Sequence, residues 1–397
     1  MIRIDKTFNI DVKILFSKIV KRVNNLVKQK KLLQIAPEEL EFLNTINKKT
    51  IRKLIFSKPK RLKNIIIKIY NKHPLVCEYY SPDYFLRNLN LQGITNLQLS
   101  LNKNENKEIV FRELTQAIQL INSFFQITQS LILKDILETP FSLKKMSNLR
   151  NKVLNLINIK NGGSLTNNTK ELFPKWVLNI PEIFKYSLID RETAYQLNRC
   201  LDISICPYCN SEEIEQIDDP TGTSYRPAFD HFIPKCKYPL ISFSLFNLIP
   251  SCTKCNSTYK KSLDPLITPF SNPFLDGVND TQLFNFSYDI NYIYSNGLID
   301  NDQIQIILEK QNNLIDENMR KLEISNRYNL PNSKKVARLI AKKASDLNAY
   351  KENFDIQDKL FGTFDYETSV EPLKHMHKKF MQDAILVFCN KKISLIE

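Results

Sequence analysis

The sequence predicts an α+β chain: mostly helical, with a small cysteine-bearing core in its middle and a short β-hairpin after it. Three observations carry this. Apolar residues recur at helical spacing through residues 1–160 and again from about 312 to 397. Between 200 and 282 that periodicity fades, prolines become frequent and six of the eight cysteines gather. After them the run "FNFSYDINYIYSNGLIDNDQIQIIL" alternates around Ser295-Asn296-Gly297, a turn signal between two strand-like stretches.

Taken in order, "DVKILFSKIVKRVNNLVKQKKLL" sets apolar residues on one helix face with Lys and Arg opposite. "PEELEFLNTINKKTIRKLIF" opens with Pro37 and acidic residues in the first turn, a good helix start. "RELTQAIQLINSFFQITQSLILKDIL" predicts a longer helix. "NGGSLTNN", 161–168, holds two of the seven glycines and is the candidate linker. "RETAYQLNRCL" predicts a helix leading into the cysteines. Four consecutive segments follow: a helical N-terminal domain 1–160, a linker and helix 161–199, a cysteine-bearing core 200–282, and a C-terminal β-hairpin plus helices 283–397.

At 397 residues, with 43% hydrophobic and 25% charged residues, the chain can bury a core without disulfides. The net charge of +14 favours a polyanion such as nucleic acid or an anionic membrane surface. A gene composition rich in Lys, Asn and Ile codons would leave the same mark. The longest apolar runs, "NIIIKIY" and "AILVF", are too short to span a bilayer, and no signal peptide is visible. Eight cysteines, most of them clustered, are too few for a secreted disulfide scaffold. A reducing, cytoplasmic setting is expected, where paired cysteines suggest metal.

Cys206-Pro-Tyr-Cys209 and Cys252-Thr-Lys-Cys255 are two C-x-x-C pairs with 42 residues between them. Two intervening residues let both thiolates of a pair reach one tetrahedral ion. Four sulfurs close the sphere, so the expected zinc is structural. Cys77, Cys200, Cys236 and Cys389 are read as thiols outside this set. His375 and His377 are too sparse for a second metal; they are expected on a solvated helix face, with "KHMHKKF" adding to a basic surface.

Between the cysteine pairs runs "FDHFIPK", then "YPLISFSLFNLIPSC", then "CNSTYKK". This order resembles the HNH, or ββα-metal, nuclease family, with a four-cysteine zinc knuckle of the kind found in bacterial restriction and antiphage proteins. The matched positions are Cys206 and Cys209, Asp230-His231 with Pro234, Asn247-Leu248-Ile249-Pro250, and Cys252, Cys255, Asn256 and Lys260. They cover residues 206–270.

The resemblance implies a β-hairpin ending near Asp230 and Asn247, then a helix from Thr253 through Lys261 with Ser251 as N-cap. His231 would be the general base. Asp230 and Asn256 would hold a hard divalent ion, Mg²⁺ or Mn²⁺. Asn247 would pin the loop carrying the base, and Lys260 would reach the same helix face to touch phosphate. Each position has a plainer alternative: a core histidine, a turn asparagine, a solvated lysine. In a regular strand Asp230 and His231 point to opposite faces, so both serve one metal only where the strand ends or twists.

The expected function is a metal-dependent HNH endonuclease acting on nucleic acid, DNA first, as an effector in prokaryotic defence or restriction. The alternative is a zinc-stabilised nucleic-acid-binding or scaffold subunit without cleavage. No nucleotide-binding loop of the G-x-x-x-x-G-K type is present, so ATP use would come from a partner subunit such as an ATPase. A homo-oligomer fits equally, and no membrane partner is expected.

Overall fold

The computed structural model describes residues 1–33, 35–214, 216–217, 225–279, 281–287, 304–349 and 372–393. Contacts divide the chain into two compact units. One comprises Met1–Ser17, Ile189–Phe232 and Leu245–Glu397; the other comprises Lys18–Leu188 and Ile233–Ser244. The division interleaves along the chain.

The second unit is helical. Its core gathers Leu114, Ala117 and Ile121 of the helix Asn104–Thr128, Ile132 and Leu133 of the helix Leu131–Leu137, and Leu149, Val153 and Leu156 of the helix Ser147–Lys160. These are the inward positions of amphipathic helices. Prolines start the helices Pro37–Thr45, Pro59–Lys72 and Pro74–Tyr80, where the missing N–H has no partner to lose.

Two of the helical stretches are broken. "PEELEFLNTINKKTIRKLIF" forms Pro37–Thr45 and then Lys48–Phe56, because Asn47 turns its side chain onto the Thr50 N–H, 3.0 Å away, and caps the second helix. The longer run stops at Gln129, whose φ of 52° is left-handed, and restarts behind Ser130. There Glu78, 2% exposed, accepts the Ile132 N–H at 2.9 Å and the Leu131 N–H at 3.2 Å, and the Ser130 hydroxyl donates to it. Burial raises the Glu78 pKa against these bonds.

The expected linker at 161–168 is a helix stop inside this unit. Gly162 takes φ +94°, and a Cβ on Gly163 would lie 2.8 Å from the Asn158 carbonyl oxygen. The Gly163 N–H donates to that same oxygen at 2.9 Å, closing the helix Ser147–Lys160.

The first unit carries both sheets. β1 (Ala228–His231) pairs antiparallel with β2 (Leu248–Ser251), setting His231 opposite Leu248 and Ala228 opposite Ser251. β3 (Phe284–Ser287) pairs antiparallel with β4 (Gln305–Leu308). The Ser295-Asn296-Gly297 turn lies outside the described residues. The helix Arg191–Leu201 forms as expected, capped by Asp190 on the Thr193 N–H at 2.9 Å. Helices Asn313–Lys321, Ile324–Tyr328, Pro331–Ala349 and Lys378–Ile393 follow.

The first residues of the chain are laced into this unit. The Ile2 N–H donates to the Pro207 carbonyl at 2.7 Å and the Ile4 N–H to that of Pro273 at 2.8 Å. Gly277 admits the approach, since a Cβ there would sit 2.2 Å from the Arg3 nitrogen.

The basic surface expected around "KHMHKKF" is corrected. Lys378 and Lys379 are buried, and Lys379 pairs with buried Asp383 at 2.8 Å. Asp383 in turn accepts the Leu283 and Phe284 N–H groups at the start of β3. His377 has φ 58° and precedes the helix, so it lies on no solvated helix face. Among the described residues no helix is long and apolar enough to cross a membrane.

Candidate functional site

Cys206, Cys209, Cys252 and Cys255 are all buried, and their four sulfurs lie within 4.8 Å of one another. A tetrahedral ion with metal–sulfur bonds of about 2.3 Å needs sulfurs about 3.8 Å apart. The four thiols therefore fit one metal ion. Their soft sulfur donors and closed surroundings suit a structural ion with no open position.

Further groups support the cluster. The Cys255 N–H lies 3.4 Å from the Cys252 sulfur. Arg327 donates to the Cys255 sulfur at 3.1 Å and lies over the Tyr259 ring at 5.2 Å. Burial opposes the Arg327 charge, but the Cys209 and Cys255 sulfurs outweigh it and raise its pKa. The Tyr328 hydroxyl donates to the Cys209 carbonyl at 2.8 Å. Sequence reasoning missed Arg327, which is 72 positions from Cys255 and outside any motif.

Asp230 and His231 end β1. Asp230 is 2% exposed, with one oxygen accepting the Tyr208 hydroxyl at 2.6 Å and the other paired with Lys260 Nζ at 3.0 Å. His231 is half-exposed. Asn247 is buried at the hairpin's loop end, and its carbonyl takes the Phe232 N–H at 2.9 Å, which extends the ladder past His231. Asn256 is half-exposed on the helix after β2.

That helix, Lys254–Lys260, is a π-helix, with the Lys261 N–H donating to the Asn256 carbonyl at 2.9 Å. Two local expectations are corrected. Ser251 does not cap it, because the Ser251 hydroxyl is buried and makes no hydrogen bond. Lys260 is no solvated lysine either. It is 1% exposed, and its ammonium lies between the Asp230 carboxylate and the His231 carbonyl, 3.1 Å from the latter. The wider turn of a π-helix, about 4.4 residues, leaves the lysine four positions after Asn256 on nearly the same side. The Asp230 carboxylate fixes where its charge goes.

The consequence for Asp230 is specific. A carboxylate has about four lone-pair sites. One on each oxygen is engaged here, so a divalent ion would use what Tyr208 and Lys260 leave. A cavity of about 780 Å³ at the other end of this hairpin is lined by Arg191, Arg226 and Lys254 together with Glu212 and Glu213. Cys236 is exposed, Cys77 buried and Cys200 half-buried, all apart from the cluster.

No protein-family model, curated protein or solved structure matches the chain.

Proposed function

We propose that the chain is a metal-dependent HNH endonuclease whose four cysteines hold zinc. The observation that supports this best is the order of its parts: an antiparallel hairpin ending in Asp230-His231, then at once a helix bearing Asn256, with both cysteine pairs closing the base. His231 is the general base: its imidazole, at the loop end of β1, takes the proton of an attacking water. Asp230 and Asn256 offer a carboxylate and an amide oxygen, hard donors suited to Mg²⁺ or Mn²⁺. Such an ion, when bound, polarises the scissile phosphate and relieves charge on the leaving oxygen. The substrate is nucleic acid, DNA first, in keeping with the +14 charge. A defence or restriction setting, a cytoplasmic location and a partner such as an ATPase complete the reading.

One observation favours a second reading, a zinc-stabilised nucleic-acid-binding or scaffold subunit without cleavage: Asp230 is buried and both its oxygens are engaged.

The test is cleavage of plasmid, linear DNA, single-stranded DNA and RNA by wild type and His231→Ala, with Mg²⁺, Mn²⁺ or EDTA. Wild type should cut only with metal. His231→Ala should lose at least about 100-fold in rate while keeping its zinc. Undiminished cutting by His231→Ala would remove His231 from the chemistry. Folded, zinc-loaded wild type that binds nucleic acid and cuts none of it would favour the second reading.

A further inference from the structure

Tyr208 is the third residue of the Cys206-Pro-Tyr-Cys209 turn, so two ligands of the proposed zinc flank it closely. Its side chain is fully buried, and its hydroxyl donates to Asp230 at 2.6 Å. The other Asp230 oxygen meets Lys260 of the π-helix, five positions after Cys255. Three elements thus converge on one buried carboxylate: the knuckle, the strand and the helix. Two of them are anchored in the cysteine cluster. His231, the next residue on β1, shares in this arrangement through its carbonyl, which accepts from the same Lys260 ammonium at 3.1 Å.

We propose that Tyr208 is a positioning residue that links the cysteine cluster to the Asp230-His231 end of β1, so that metal occupancy of the cluster sets the pose of the nuclease site. The inference rests on the endonuclease reading for its effect on cleavage, but the link itself can be measured without cleavage. With metal bound, the Cys206–Cys209 turn is fixed and the phenol has one direction. Its bond to Asp230 holds the strand end against the knuckle while Lys260 holds it against the helix. Without metal the turn keeps only its hydrogen bonds, such as Ile2 N–H to the Pro207 carbonyl and the Tyr328 hydroxyl to the Cys209 carbonyl, and the phenol holds Asp230 less firmly. Lys260 and Tyr208 divide the work: the lysine neutralises the carboxylate, and the phenol supplies direction.

The experiment is Tyr208→Phe, which keeps the ring and removes only the hydroxyl. Zinc per chain, amide exchange at residues 229–232 and the Mg²⁺ concentration for half-maximal cleavage are measured beside wild type. One zinc per chain should remain. Exchange at 229–232 should quicken on the order of tenfold, as expected for losing a hydrogen bond to a buried charge. Half-maximal Mg²⁺ should rise about tenfold, the usual size for losing a partner that orients a ligand. A general loss of packing would quicken exchange across the unit and leave the Mg²⁺ requirement unmoved.

Unchanged exchange and unchanged Mg²⁺ dependence in zinc-loaded Tyr208→Phe would overturn the proposal. Loss of zinc would overturn it too, since the phenol would then build the cluster rather than transmit its state. If wild type cuts nothing, the endonuclease reading fails, while faster exchange confined to 229–232 would still establish the link.

Discussion

The two units are held together by different means, and the difference sorts what can be removed from each. In the helical unit the main interior is a continuous apolar cluster, joined by a few buried carboxylates: Glu78 at a helix start, Glu113 accepting from Asn96, and Asp83 paired with Lys237. In the unit carrying the cysteines, short strands of four residues meet buried charge: Asp230 with Lys260, Lys379 with Asp383, and Arg327 on a sulfur. An apolar cluster loses stability in proportion to the atoms removed. A cluster built on one ion and paired charges loses it in whole steps, because each deletion strands a partner.

The largest step should come from the metal. Chelation, or Cys252→Ser, should cost the cysteine unit on the order of 10 kcal/mol, the scale of structural zinc binding. Hydrogen exchange should show protection lost at Tyr208, β1 and β2, while the helices Asn104–Thr128 and Ser147–Lys160 stay protected. Equal loss in both units would mean that the contrast between them is wrong.

Next is Lys260→Met, which leaves Asp230 buried without its counter-charge. Breaking a buried pair from one side costs about 3–5 kcal/mol. The double replacement Asp230→Asn with Lys260→Met should recover part of that loss, since it removes the unpaired charge while the amide oxygen still accepts the Tyr208 hydroxyl. Urea unfolding of both variants, with zinc content followed, reads this directly. If the double variant is no better than the single one, the pair does more than neutralise itself.

How much of this was legible in sequence follows the same division. The helices were, because 3.6-residue periodicity is a local signal, and so was the cysteine cluster, because C-x-x-C spacing is local too. The breaks at Asn47 and Gln129 were missed although Asn47 and Ser130 are good caps, because apolar periodicity runs on across both. The burial of Lys260 was not legible, since its partner lies 30 positions away on another element, and a lysine in a basic chain reads as solvated. A π-helix of seven residues is too short to shift a hydrophobic period visibly. Nor does local pattern say that residues 1–17 belong with the cysteines, which rests on backbone bonds such as Ile2 to Pro207.

The smallest effect tests the helical unit on its own terms. Leu114 is 0% exposed in the core beside Ala117, Ile121 and Leu149. Leu114→Ala removes apolar surface and opens a cavity, at a cost of about 2–5 kcal/mol depending on how far the neighbours close in. No polar group loses a partner, so the loss should be graded: Leu114→Val should cost less than Leu114→Ala. Exchange should quicken in the helices that share the cluster, with the metal content of the cysteine cluster unchanged. Loss of zinc from Leu114→Ala would show that the apolar cluster and the cysteine cluster unfold as one, and the two units would then be a division of contacts without a division of stability.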